Sequence, residues 1–147
     1  MLHYEGDVFR PPSEAGSLIV QATIGCSHNR CTFCAMYKRK RYRERSLEEV
    51  KADVETASAR VPWVKRVFLA DGNALSIGTD KLLSIMELFN RSFPELERVS
   101  LYGNPHDLLS KTVEELQELK KNGLGMIYLG LESGSGAVLT DVKKGVT

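Results

Sequence analysis

A chain of 147 residues that is 42% hydrophobic and 27% charged has the ordinary make-up of one globular domain, with little room for two. Its formal net charge of +1 gives no overall drive toward nucleic acid, membrane or acidic substrates. No apolar run approaches the roughly 18 residues of a membrane span, and the start of the chain, with Glu5, Asp7 and Glu14, reads as neither signal nor transit peptide, so a cytoplasmic protein is expected.

Residues 1–16 read as an approach segment to a first strand over 17–24, a run rich in β-branched and apolar side chains. Cys26, Cys31 and Cys34 follow it directly. The basic run from Lys38 to Arg43 is the one local charge excess. It is expected as a solvated loop, with an anionic substrate or RNA as the other reading. Ser46 and Glu49 have capping-box spacing and open a helix whose apolar face is Leu47, Val50, Val54 and Ala57.

A second strand over 64–70 runs into Asp71, Gly72 and Asn73, a natural turn sequence. Thr79 or Asp80 can cap the next helix, which carries Leu82, Leu83, Ile85, Met86 and Phe89. The third strand, 98–102, leads into Gly103, Asn104 and Pro105. Thr112 and Glu115 then repeat the capping box, Leu116 and Leu119 face inward, and Gly123 is placed to stop that helix. The fourth strand covers 126–131, and a last helix runs from near Ser135 to about Lys144, ended by Gly145.

Strand and helix alternate four times with a beat of roughly 30 residues, which is the pattern of βαβ units with parallel strands and right-handed crossovers. The expected fold is α/β: about four units of a TIM-type (β/α) barrel, half of the eight that close one. Residues 17–147 would form this partial core, stopping before a fifth strand. Its exposed sheet edges would invite self-association or pairing with further chain.

The three cysteines are the only ones in the chain and lie close together. An odd count in a reducing compartment points to metal ligation rather than disulfides. Thiolates suit zinc and iron–sulfur clusters alike. His28 could complete a Cys3His zinc site, although its position two residues after Cys26 is not a usual spacing. A ferredoxin cluster of C-x4-C-x2-C type needs a fourth cysteine, which is absent. The third reading is a four-iron cluster with three protein ligands and one iron left free for a small molecule.

The loop from Cys26 to Cys34, placed after a strand and ahead of a series of βα units, resembles that of the radical S-adenosylmethionine (radical SAM) enzymes. Their usual motif is C-x3-C-x2-C with an aromatic residue before the last cysteine. Phe33 fills that place, and the first gap is one residue longer here, as in a subgroup of the family. The resemblance extends to Asp71, Gly72 and Asn73, at the position of a Gly-Gly-Glu-like motif that binds the methionine amino group. It extends also to the stretch after the fourth strand, from Gly130 through Ser135.

The resemblance implies a [4Fe-4S] cluster on Cys26, Cys31 and Cys34. It implies S-adenosylmethionine bound at the free iron, with Phe33 near the adenine. Asp71, Gly72 and Asn73 would lie at its amino group, and Glu132 and Ser133 at its ribose and carboxylate. Asn104 would be a further cofactor or substrate contact, and Tyr37 with the basic run could gate or touch substrate. The implied reaction is reductive cleavage to a 5′-deoxyadenosyl radical that abstracts hydrogen, fed by a donor such as a ferredoxin or flavodoxin. The substrate does not follow, relatives in motif style acting on tRNA and on porphyrin precursors. The reading from another class is a non-catalytic fragment, or a zinc or iron–sulfur module that acts through partner binding.

Overall fold

The computed structural model describes residues 2–146; Met1, at the head of the expected approach segment, and Thr147, at the end of the expected core, lie outside it. Four strands form one parallel sheet: β1 (Leu18–Gln21), β4 (Arg66–Ala70), β5 (Arg98–Gly103) and β6 (Leu124–Leu129), side by side in chain order. The register runs Val20↔Leu69 and Leu69↔Leu101, then Leu101↔Ile127. Helices α1 (Leu47–Ser58), α2 (Thr79–Ser92) and α4 (Val113–Lys121) make the crossovers. This is an open half of a (β/α) barrel, with no closed barrel among the described residues. No helix among them is long and apolar enough to cross a membrane.

Alternation along each strand separates two faces. Val20, Val67, Leu69, Val99 and Leu101 point to the helices and pack with Val54, Ile85, Phe89 and Leu119 into the core. The opposite face carries Phe68, Tyr102 and Tyr128, whose rings meet edge-on at centroid distances of 5.1 to 6.1 Å. The chain ahead of β1 closes one end of this face. Glu14, fully buried, accepts from Arg98 (2.8 Å), Tyr128 Oη (2.7 Å) and Ser17 Oγ. Burial alone would raise the Glu14 carboxyl; the hydrogen bonds from Ser17 and Tyr128 and the Arg98 charge outweigh it and hold the group below its ordinary value.

Local signals place the helix starts well. Ser46–Glu49 and Thr112–Glu115 both form reciprocal capping boxes, and Ser135 accepts from the Val138 amide. Gly123 stops α4 with φ +111°. At α2, however, the N-cap is Gly78, and Thr79 and Asp80 already lie in the first turn. The run 17–24 is not one strand. β4 ends at Ala70 opposite Gln21, so the chain beyond finds no neighbour in the sheet, and β2 (Thr23–Ile24) pairs antiparallel with β3 (Arg43–Glu44). β6 ends at Leu129 because its partner β5 ends at Gly103. A short helix, α3 (Pro105–Leu109), occupies what read as a turn: Pro105 sits in its first turn and Asp107 accepts from the Asn104 amide at 2.9 Å. The last helix, α5 (Gly136–Asp141), is shorter than expected, since Lys143 and Gly145 both adopt positive φ.

The basic run is also not a free solvated loop. Lys40 is nearly buried against Asp71, and Arg43 pairs with Glu49 at 2.9 Å and with Glu5. Next to it, buried Arg45 donates to Asp53 at 2.7 Å and to the Gln21 carbonyl at 2.9 Å, while the other Asp53 oxygen accepts the His3 amide at 3.0 Å. One ion pair thus ties the N-terminal segment, the end of β1 and α1 together. In Asp53→Ala the Arg45 charge loses its close partner, keeping only Glu49 at 3.8 Å. The unfolding free energy in urea should fall by about 3 kcal/mol at unchanged slope; a loss under about 1 kcal/mol would mean that water or Glu49 satisfies Arg45 instead.

Candidate functional site

The loops that follow the strands gather at one end of the sheet, the end that bears the sites of α/β barrels. There the loop after β2 brings Cys26, Cys31 and Cys34, all partly exposed and free, onto one cavity of about 410 Å³. The same loop contributes Phe33, Met36 and Tyr37; Gly72 lies just beyond β4, Tyr102 is in β5 with Asn104 just after it, Tyr128 is in β6, Glu132 is in the loop before α5, and Lys144 lies beyond α5. The cysteines arrive together because the loop is closed on itself. Asn29 takes a left-handed conformation (φ +41°), which asparagine tolerates, and its Nδ2 donates to the Tyr37 carbonyl at 2.9 Å. Lys38 returns to the Asn29 carbonyl at 2.8 Å, and the Thr32 amide is fixed to the Val142 carbonyl at 3.0 Å.

Burial pushes the Cys31 thiol up; the Lys144 ammonium opposes this, and the neighbouring Cys26 and Cys34 add to it. Among the described residues, no three His, Cys, Asp or Glu side chains form a cage for a single metal ion. One His28 ring nitrogen lies 2.7 Å from the Lys143 carbonyl and the ring packs on Gly145. Three soft thiols spread along the wall of a wider cavity match the donor set of an iron–sulfur cluster, which presents several irons to separate ligands.

Of the other expected contacts, Phe33, Gly72, Asn104 and Glu132 line the cavity. Glu132 has φ +63° and pairs with Lys144 at 3.1 Å, and Lys144 stands 5.8 Å from the centre of the half-exposed Phe33 ring. Tyr37 is buried with its hydroxyl unpartnered, and burial first, then Asp71, pushes its pKa up. Asp71, Asn73 and Ser133 lie outside the cavity lining. Asp71 and Asn73 are fully buried and do not line the cavity, because their polar atoms are engaged with the loop that carries the cysteines. Ser133 accepts the Ser135 amide at 3.0 Å, a local role at the entry to α5. From sequence no role falls to Asn29 or Lys144, and Lys40 is read only as part of the basic run. Asparagine's tolerance of positive φ was the one usable signal among them.

The description of the Radical SAM superfamily matches residues 20–147, most of the chain. The chain belongs to this superfamily. Two curated relatives fit the assignment. A protein of Methanocaldococcus jannaschii named "Putative methylthiotransferase" is 31% identical over 150 residues, covering 95% of this chain and 31% of that protein. A Fusobacterium nucleatum protein named tRNA-2-methylthio-N(6)-dimethylallyladenosine synthase is 29% identical over 136 residues, covering 87% of this chain and 30% of its own length. The chain therefore spans about a third of the curated relatives it matches. Radical SAM proteins are enzymes whose cofactors are a [4Fe-4S] cluster and S-adenosylmethionine, together with a reductant. The half barrel, with its cysteine loop beyond the first strand, is the radical SAM core arrangement in part.

Proposed function

We propose that this chain is the cluster- and cofactor-binding part of a radical SAM enzyme, with Cys26, Cys31 and Cys34 as the three ligands of a [4Fe-4S] cluster. The observation that carries this reading is that all three cysteines line one cavity, which Asn104, Glu132 and Lys144 line as well. When bound, the cluster and S-adenosylmethionine supply a one-electron cleavage of the sulfonium that yields a carbon radical able to abstract hydrogen. The chain's own residues hold and orient. Glu132 accepts from ribose hydroxyls, Lys144 offers its charge to a carboxylate, and Asn104 presents both a donor and an acceptor. Phe33 covers the mouth beside the adenine, and Tyr102 and Tyr128 keep the floor apolar and poor in water. The donor is a small one-electron carrier such as a ferredoxin or flavodoxin. Methylthio transfer, which the names of both relatives carry, is the overall chemistry that these likenesses favour.

Anaerobic reconstitution followed by iron and sulfide counting tests the reading, with S-adenosylmethionine cleavage under dithionite as the second measurement. The expected result is about four irons per chain and release of methionine. One zinc per chain and no cleavage would overturn it. Glu132→Gln should weaken S-adenosylmethionine binding about tenfold with iron content intact; loss of the fold in this variant would make Glu132 a structural residue instead.

A further inference from the structure

Three consecutive residues beyond β4 meet three consecutive residues of the cysteine loop, one for one. The Asp71 carboxylate accepts the Gly25 amide at 2.8 Å. The Gly72 backbone lies flat against Cys26: a Cβ on Gly72 would stand 2.3 Å from Cys26 Cβ and 2.6 Å from its Cα. Asn73 Oδ1 accepts the Ser27 amide at 3.0 Å, and its Nδ2 donates to Ser27 Oγ at 2.6 Å. The contacts reach across 46 positions of sequence, so they bring together segments that chain connectivity does not.

Both ends of this grip are anchored. Lys40, beyond the last cysteine, holds Asp71 at 2.9 and 3.1 Å, and Asp107 of α3 accepts from Asn73 Nδ2 at 2.9 Å. Neither Asp71 nor Asn73 exposes any surface. Both Asp71 oxygens are already engaged, by the Gly25 amide and the nearly buried Lys40, so a cofactor ammonium would have to compete with these donors for a carboxylate that exposes no surface.

We propose that Asp71, Gly72 and Asn73 are a clamp that sets the position of Cys26, and that the Asp71 and Asn73 side chains act on the cofactor site through that cysteine. The proposal rests on the reading of Cys26 as a cluster ligand. A loop with three ligands binds a rigid cluster more tightly when one of them is already fixed, because less order has to be imposed on assembly. The three are positioning residues.

Asn73→Ala is the primary variant and Ser27→Ala, which removes only one of the Ser27–Asn73 bonds, the milder second. In the metal-free chain, amide hydrogen exchange at Ser27 should speed up at least tenfold in Asn73→Ala and severalfold in Ser27→Ala, with the β4 and β5 amides unchanged. After reconstitution, the clusters of both variants should be lost to a chelator at least severalfold faster than in the parent. S-adenosylmethionine affinity in the cluster-bearing fraction should stay within about twofold. Unchanged exchange at Ser27 in either folded variant overturns the clamp, whatever the iron content. A tenfold loss of S-adenosylmethionine affinity at unchanged cluster lifetime also overturns it, and makes Asn73 a cofactor contact. A parent chain that binds no four-iron cluster overturns the proposed function instead, while the exchange measurement still decides whether Cys26 is clamped.

Discussion

Alanine in place of Cys26, Cys31 or Cys34 should each time abolish assembly of the four-iron cluster while the chain still folds. There are only three cysteines in the sequence, so no spare thiolate can replace a missing ligand. Of the other donors on the cavity, His28 has one ring nitrogen on the Lys143 carbonyl and its ring against Gly145, and Glu132 is paired with Lys144. All three thiols are partly exposed and outside the hydrophobic core, so their loss should change stability by only about 0.5 kcal/mol. Iron and sulfide per chain and the Mössbauer spectrum after reconstitution provide the measurement, with urea unfolding of the metal-free chain beside it. A single variant that keeps the full four-iron spectrum would refute the three-ligand site. Unequal effects would be informative too. Cys26 lies on the clamped side of the loop, so Cys26→Ser, with a hydroxyl held at nearly the same point, should retain more iron than Cys34→Ser.

What could be read from the sequence divides according to the distance over which each signal acts. Capping boxes at Ser46 and Thr112, the Ser135 cap and the Gly123 stop are settled within four residues, so local chemistry found them. The four parallel strands were legible as apolar runs, but their ends were not, because an end is set by the neighbour's length: Gln21 by Ala70, Leu129 by Gly103. The same limit hid β2. Its residues are as β-branched and apolar as those of β1, and only the returning chain at Arg43 tells the two apart.

The site follows the same rule. The cysteine spacing was legible because all three cysteines come from one loop. The burial of Asp71 and Asn73 against the cysteine loop was not legible, because a carboxylate and an amide beside a glycine suit an open pocket and a buried contact equally well. Their partners are 46 residues away. Counting charges from Lys38 to Arg43 likewise could not reveal that Lys40 alone turns inward to a buried aspartate.

Gly72→Ala should be the most damaging single methyl group in the chain. The added carbon would fall 2.3 and 2.6 Å from Cys26 Cβ and Cα and 2.9 Å from the Gly25 carbonyl oxygen, far inside van der Waals contact. These neighbours are backbone or attached directly to it, so no side-chain rotation can relieve the clash. Either the loop lifts by an ångström or more, or the end of β4 does. Overpacking of this kind costs about 1–3 kcal/mol. The bonds from Asp71 to Gly25 and from Asn73 to Ser27 resist the loop's movement on both sides of Cys26, which favours the upper part of that range.

The functional loss should be larger than the loss of stability. Ligand placement within about 0.5 Å is what a preorganised site requires, so iron per chain after reconstitution should drop at least tenfold even where the metal-free chain stays folded. Gly136→Ala is the control: a Cβ there meets nothing within 4 Å, and the residue opens α5 on the same side of the molecule. It should leave iron content unchanged. Should Gly72→Ala instead assemble a full cluster with unaltered unfolding, the close approach of β4 to Cys26 would be a soft contact, and the cysteine loop would find its geometry without help from the second strand.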